Sequence, residues 1–493
     1  MRVQRKSNSQ FLTLADDLLL GAGGEARIYA VPEDPSWVAK IWHKPTDERA
    51  RKVTVMLDNP PADPMAAQRH ISIAWPCDLL LATGRTQRVI GFLMPRVSGL
   101  RPVIDFFNPK TRRQQCPLFN YFYLHRTARN LAIAVRALHE RGYVIGDLNE
   151  SNILASETAL VTMVDTDSFQ VWDVEQGVAY RCRVGKPEFT PPELQGKTFA
   201  KIDRAPQHDL FGLGAIIFQL LMEGTHPFAG AFKGKGEPPP YEQRIAAGHF
   251  LHGSDPRVPY APKPAAPPFA MLHPTLQHLF IRCFEDGHLN PRLRPDTQSW
   301  QWALEEAESA LVTCWANEQH IYGGHLLDCP WCARAKWLGG RDPFPSVAAV
   351  KSGQHLRPLA SAARSRPAAR SDSDFGPPIP RPIPHSTPSQ TAAGGSGGRP
   401  SSRRKRPFAF AQARNDWAWL GLASGLLALF SGAFIPWRFN WPGFVLGVVA
   451  ALLGAIGNIQ ARGWSLDGRS RWIARLAIVL GLLIVGIYLR NAV

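Results

Sequence analysis

Short apolar runs occupy the first hundred residues, and apolar positions at helical spacing follow them. Leu18-Leu19-Leu20 and Ile28-Tyr29-Ala30-Val31 flank Gly21-Ala22-Gly23-Gly24, which predicts strand, glycine turn, strand. Trp37-Val38-Ala39-Lys40-Ile41 is a further strand with a lysine near its end. Residues 45–58 open on a proline and carry apolar Val53, Met56 and Leu57, the pattern of a helix. Residues 89–97 form an apolar strand that leaves through Pro95. Residues 123–139 align Leu131, Ile133, Ala134 and Leu138 on one stripe, predicting a helix that stops at Gly142. A second apolar helix follows Asp209.

Between these helices, Asp147, Asn152 and Asp165 interrupt otherwise apolar, β-branched segments. Asn152 follows Asp147 closely enough for both to sit on one short loop. Ile153-Leu154-Ala155, a turn and Leu160-Val161-Thr162-Met163-Val164 read as a β-hairpin delivering Asp165 beside that loop. One carboxylate to orient a hydroxyl, with an amide and a second carboxylate to hold a divalent metal, is the minimum equipment for phosphoryl transfer. A surface hairpin with turn carboxylates shares the local pattern, so the assignment leans on the rest of the chain.

The rest of the chain resembles the bacterial eukaryotic-like (Hanks-type) Ser/Thr protein kinases. Asp147 to Asn152 and then Asp165 match D-x-x-x-x-N followed by D-F-G, and Gly21, Gly23, Ala26 and Ile28 follow G-x-G-x-x-G-x-V with substitutions. Leu138-His139-Glu140-Arg141-Gly142, the loop 185–193, the segment 209–228 and Arg294 match further signatures in the family's order. The resemblance implies an α+β, bilobal protein-kinase fold over 11–308 that takes ATP, Mg²⁺ and a protein substrate. It implies that Gly21, Gly23, Gly24 and Lys40 bind phosphates and that Met94 and Val97 belong to an adenine-binding hinge. Asp147 then orients the substrate hydroxyl, and Asn152 and Asp165 hold the metal. Glu48 is the candidate partner of Lys40, although a solvated helix-start glutamate fits the same position. Asp209 supports the catalytic-loop backbone, and Glu193 and Arg294 form a structural ion pair.

Several positions depart from that pattern. H-R-D is Ile145-Gly146-Asp147, so the arginine that reads a phosphorylated activation loop is missing. D-F-G is Asp165-Thr166-Asp167, which leaves Asp167 as a second metal ligand or a turn residue. The catalytic-loop lysine is Asn149, a loss worth on the order of 100-fold in rate in a preorganised site. Lys186 stands where the family has a threonine, and the expectation is that it supplies the charge missing at Asn149, the alternative being a solvated loop lysine.

Past the kinase-like region, Cys314, His320, Cys329 and Cys332 offer the four N/S ligands of tetrahedral Zn²⁺ in a module spanning 309–340, with His325 as an alternate to His320. Redox or unligated thiols are the competing readings, and the first lacks a βαβ context. A kinase with such a tail resembles the YegI-like branch of bacterial kinases. Residues 341–415 are rich in Pro, Ser, Arg and Gly and read as a disordered linker. Within it, 351–415 holds twelve Lys and Arg against two Asp, which accounts for most of the net charge of +16. A nucleic-acid surface is therefore not required. Seven scattered cysteines suggest a reducing compartment, and the charged first twenty residues suggest no signal peptide.

The region 416–493 contains charge-free runs at 417–437 and 439–460, each long enough for a bilayer, and a weaker one at 472–489 interrupted by Arg475. Basic residues crowd before the first run and between the second and third, which places the kinase on the cytoplasmic side of a multi-pass cell-membrane anchor. The reading that emerges is a membrane-anchored Ser/Thr protein kinase. A nucleotide-binding scaffold without phosphotransfer is the alternative.

Overall fold

In a strand, side chains alternate faces, and the central strand of the sheet shows it. In Trp37–Trp42, Ala39 and Ile41 are buried with Val3, Tyr29, Leu80 and Leu93, whereas Trp42 packs on the opposite face with Phe92, Leu79 and Val53. Lys40 shares the face of Trp42, so its ammonium is carried toward the interior side of the sheet rather than to solvent. The computed structural model describes residues 1–84 and 87–357.

Seven antiparallel strands build this N-terminal lobe: β1 (Arg2–Arg5), β2 (Phe11–Thr13), β3 (Leu19–Ala22), β4 (Ala26–Ala30), β5 (Trp37–Trp42), β6 (Asp78–Ala82) and β7 (Val89–Pro95). Their order is β2-β1-β6-β7-β5-β4-β3, with Lys40 facing Ile28 on one side and Phe92 on the other. The sheet starts earlier than the expected residue 11, because β1 pairs with β6 and buries Val3. Helix α1 (Asp47–Asp58) crosses the sheet, capped by Thr46, whose Oγ1 accepts from the Arg49 amide at 3.2 Å.

The C-terminal lobe is helical, as expected. The helix Tyr121–Glu140 buries Leu131, Ala132, Ala134, Val135 and Leu138, while Ile133 is only half-buried. It ends as predicted on Gly142, whose φ of +85° suits glycine and whose amide donates to the His139 carbonyl at 3.0 Å. The helices Pro206–Leu221 and Thr297–Ser309 complete the core around it. The expected hairpin forms from Ile153–Ala155 and Val161–Met163.

Residues 309–340 do not stand apart as a module. The hairpin Leu311–Cys314 with Asn317–Gly323 and the helix Pro330–Trp337 pack on the C-terminal lobe through Trp331. This indole is fully buried, with its ring centroid 4.9 Å from Tyr121 and 4.7 Å from Phe344. Phe344 also corrects the linker's expected start at 341. It is fully buried under the Arg112 guanidinium, and the helix Val347–Lys351 follows it, so structure continues to residue 357. Sequence composition missed this because one aromatic in a polar stretch carries no periodicity.

A buried carboxylate locks the same junction. Glu223 pairs with Arg112 at 3.2 Å and with Arg334, joining the C-terminal lobe to the tail helix. Removing one member of such a network strands uncompensated buried charge, a loss of about 3–5 kcal/mol. The remainder of the expected linker and the region 416–493 lie outside the described residues. Among the described residues, no helix is long and apolar enough to cross a membrane.

Candidate active site

Lys40, carried inward by strand alternation, meets the C-terminal lobe at two carboxylates. Its Nζ lies 2.7 Å from Asp165 Oδ1 and 2.5 Å from Asp167 Oδ1. Burial alone pushes the ammonium down, but Asp167 and Asp165 outweigh it, and Lys40 stands above the ordinary lysine value. Asp165 is in the left-handed region, φ +59°, a conformation that aspartate tolerates. Asp167 lies in the short turn Thr166–Ser168, so the turn reading holds for its backbone, while its side chain adds an ion pair that the sequence did not suggest.

The loop bearing Asp147 is held from beneath by Asp209, the contact that the resemblance implied. Its buried carboxylate accepts from the amides of Ile145 and Gly146, both at 2.8 Å, and contacts His139 Nε2 at 2.9 Å. Above it, Asn149 Nδ2 donates to Asp147 Oδ1 at 2.8 Å, which fixes the carboxylate's orientation. Asn152 Nδ2 donates to the Asp147 carbonyl at 3.1 Å, and the Val164 amide donates to the Asn152 carbonyl at 3.0 Å. The hairpin thus ties the loop bearing Asp147 to the turn bearing Asp165. Glu193 and Arg294 form the expected ion pair, at 2.6 and 2.7 Å.

These residues surround a cleft of about 710 Å³, lined by Gly23, Gly24, Lys40, Glu48, Asp147, Asp165 and Asp167 among others. Gly21, Met94, Val97 and Asn152 are not part of that lining. Gly21 pairs with Ile28 in the sheet, and Met94 pairs with Val38. Lys186 reaches the loop of Asp147, with its Nζ 2.9 Å from Glu150 Oε1 and 2.6 Å from Ser151 Oγ.

Glu48 does not pair with Lys40. It sits in the first turn of α1 at the cleft mouth and pairs with Arg183 at 2.7 Å, both side chains being more than half exposed. One turn deeper on the same helix face is Lys52, a cation that cannot partner another lysine. Burial pushes the Lys52 ammonium down to about 8, against the attraction of Asp167. The carboxylate expected from the helix is replaced by Asp167.

Another arginine lies beside Gly146. Arg204, buried before the helix Pro206–Leu221, donates from Nη1 to the Gly146 carbonyl and from Nη2 to the Val184 carbonyl at 2.6 Å. It joins the loop of Asp147 to the segment after Cys182 through main-chain carbonyls. Nothing local in the sequence marks Arg204, because its partners are main-chain oxygens.

In the tail, Cys314, His320, Cys329 and Cys332 do converge, with their ligand atoms all within 4.8 Å of one another. Cys314 and Cys332 sulfurs are 3.7 Å apart, and His320 Nδ1 is 3.4 and 3.6 Å from the sulfurs of Cys332 and Cys329. A Zn²⁺ tetrahedron has edges of about 3.8 Å between sulfurs and about 3.5 Å from nitrogen to sulfur. The ring's other nitrogen, Nε2, faces Asp342 at 2.9 Å, the outer-shell carboxylate of a metal-ligating histidine. His325 is not the alternate ligand, since its Nε2 faces the Ala270 carbonyl. Asp342 lies just past residue 340, where composition alone predicts linker.

No family model matches the chain. Protein kinase YegI of Escherichia coli O157:H7 is 35% identical over 316 residues, 64% of this chain and 48% of that protein. Protein kinase YegI of Escherichia coli strain K12 is 34% identical over 329 residues, 66% of this chain and 49% of that protein. The chain spans about half the length of these curated relatives. Serine/threonine-protein kinase MRCK gamma of Homo sapiens is 30% identical over 113 residues, 23% of this chain and 7% of that protein. A solved structure, the ROP18 kinase domain in complex with AMP-PNP and sucrose, aligns with 62% of this chain and 83% of its own at 20% identity and a TM-score of 0.39. The chain is homologous to these YegI protein kinases over about two thirds of its length.

Gly146 makes the Arg204 link testable. Its φ is +75°, and an added Cβ would lie 2.7 Å from both Arg204 Nη1 and Cys182 Cβ. Gly146→Ala is expected to destabilise the protein by about 1–3 kcal/mol. Thermal melting checks this, and an unchanged midpoint would show that the space is not filled as described.

Proposed function

We propose that this chain, homologous to the YegI protein kinases over about two thirds of its length, transfers the γ-phosphate of ATP to serine or threonine of a protein. The observation that carries the reading is the convergence of Lys40, Asp147 and Asp165 on one cleft floored by the Asp209-supported loop. Asp147, oriented by the Asn149 amide, positions the acceptor hydroxyl and takes its proton. Lys40 and the turn at Gly23 and Gly24 orient phosphates. Asn152 and Asp165 present oxygen donors, the kind Mg²⁺ prefers, and that ion when bound neutralises charge on the phosphates.

Lys186 supplies the cation absent at Asn149. Its reach to Glu150 and Ser151, the two residues after Asn149, supports this role. The Cys314, His320, Cys329 and Cys332 cluster holds Zn²⁺ as a structural ion, because four protein ligands close the tetrahedron. The charge-free runs beyond residue 416 support anchoring in a cell membrane, with the kinase on the cytoplasmic side.

Labelled ATP with the full chain tests the activity. Wild type should transfer phosphate, Asp147→Asn should lose about 10²–10⁴-fold in rate, and Lys186→Ala about 100-fold with ATP affinity nearly unchanged. A wild type that binds nucleotide without transfer would favour the scaffold reading, and a fully active Lys186→Ala would remove the relocated cation.

Elemental analysis should find one Zn²⁺ per chain, lost when Cys329→Ser and Cys332→Ser are combined. A folded, zinc-free wild type would refute the metal site. For the anchor, a C-terminal reporter active only in the cytoplasm should be silent if three spans are present. Activity there would refute that topology.

A further inference from the structure

Lys52 lines the cleft and is 9% exposed, yet its ammonium has no hydrogen bond or ion pair among the described residues. The other cations around the cleft are accounted for differently. Arg49 pairs with Glu25, Arg181 with Asp203, Arg183 with Glu48, and Lys44 is exposed. Lys40 already has two carboxylates. An ammonium on a side chain nine-tenths buried, with no protein partner and placed in a cleft lining, asks for an anionic ligand.

The geometry around it narrows the ligand. Lys52 shares the cleft with Gly23 and Gly24, whose backbone admits close approach of phosphate, and with Asp165, a donor suited to a divalent ion. An anion suited to a glycine turn and to a carboxylate fit for a divalent ion is a polyphosphate rather than a lone carboxylate. The position on α1 is free to serve this purpose because Asp167, not the helix, supplies the carboxylate that holds Lys40.

We propose that Lys52 is a second phosphate-binding lysine of this cleft, its ammonium donating to a non-bridging phosphate oxygen of the nucleotide. The inference rests on the nucleotide-binding part of the function proposed above. It assigns affinity for the charged end of the ligand to α1, so that nucleotide binding and the position of this helix are coupled.

The test compares the dissociation constants of Mg·ATP and adenosine for the full chain, as wild type, Lys52→Met and Lys52→Arg. Lys52→Met should weaken Mg·ATP about 10- to 100-fold, the range of one hydrogen bond to a charged group, and leave adenosine unchanged. Lys52→Arg should keep most of the Mg·ATP affinity. The nucleotide-free Lys52→Met protein should melt no lower than wild type, because methionine fills the stem's volume and removes a buried charge. If the Met variant proves unstable, Lys52→Gln gives the same comparison. Equal Mg·ATP affinity in wild type and variant overturns the proposal, as does an equal loss for ATP and adenosine. A wild type that binds adenosine but not Mg·ATP overturns it too, and a wild type that binds neither overturns the nucleotide reading beneath it.

Discussion

The bridge from Lys40 to Asp165 and Asp167 is the interaction on which the site depends. It joins a strand of the N-terminal sheet to a turn of the C-terminal lobe across more than a hundred residues of sequence. The ammonium is largely buried, so neither lobe can withdraw its part without leaving a charge in a poorly solvated place. The lobes are held face to face by that cost, and the glycine turn, α1 and the loop of Asp147 are brought within one cleft as a result.

Around this bridge the charges have been redistributed relative to the kinases that the chain resembles. The carboxylate expected on α1 is found in the turn after Asp165, as Asp167. A lysine occupies the helix face instead. Beside Asp147, Arg204 holds the Gly146 carbonyl, and Lys186 reaches from a facing loop to the residues after Asn149. Each replacement comes from an element distant in sequence. Electrostatics depends on where a charge ends up, not on which segment carries it, so such exchanges leave the local backbone intact while rewriting the motif.

The tail follows the same logic in the C-terminal lobe. Trp331 and Phe344 bury apolar surface against Tyr121, and Glu223 joins Arg112 to Arg334 beneath them. The Cys and His side chains are therefore presented from a hairpin and a helix end that are themselves packed. His320 is oriented by Asp342, which also accepts from the Phe344 amide at 2.9 Å. Packing of the tail and alignment of the cluster are one structural event.

The sequence by itself determined most of the elements around the cleft and their order. The alternation in Trp37–Trp42 set the face of Lys40, the glycine at 142 set a helix end, and the hairpin after Asn152 brought Asp165 beside Asp147. It also named the three cysteines of the Cys/His cluster and two candidate histidines, because ligand chemistry is carried by residue type and spacing. Only the tertiary structure decided the partners. It turned Glu48 to Arg183, chose His320 over His325, and revealed Lys52, Arg204 and Asp342 as residues of the sites. Periodicity reports which face a residue occupies within its own element. What stands opposite that face depends on how elements pack, and a single long side chain reaching a remote carboxylate or carbonyl leaves no periodic trace.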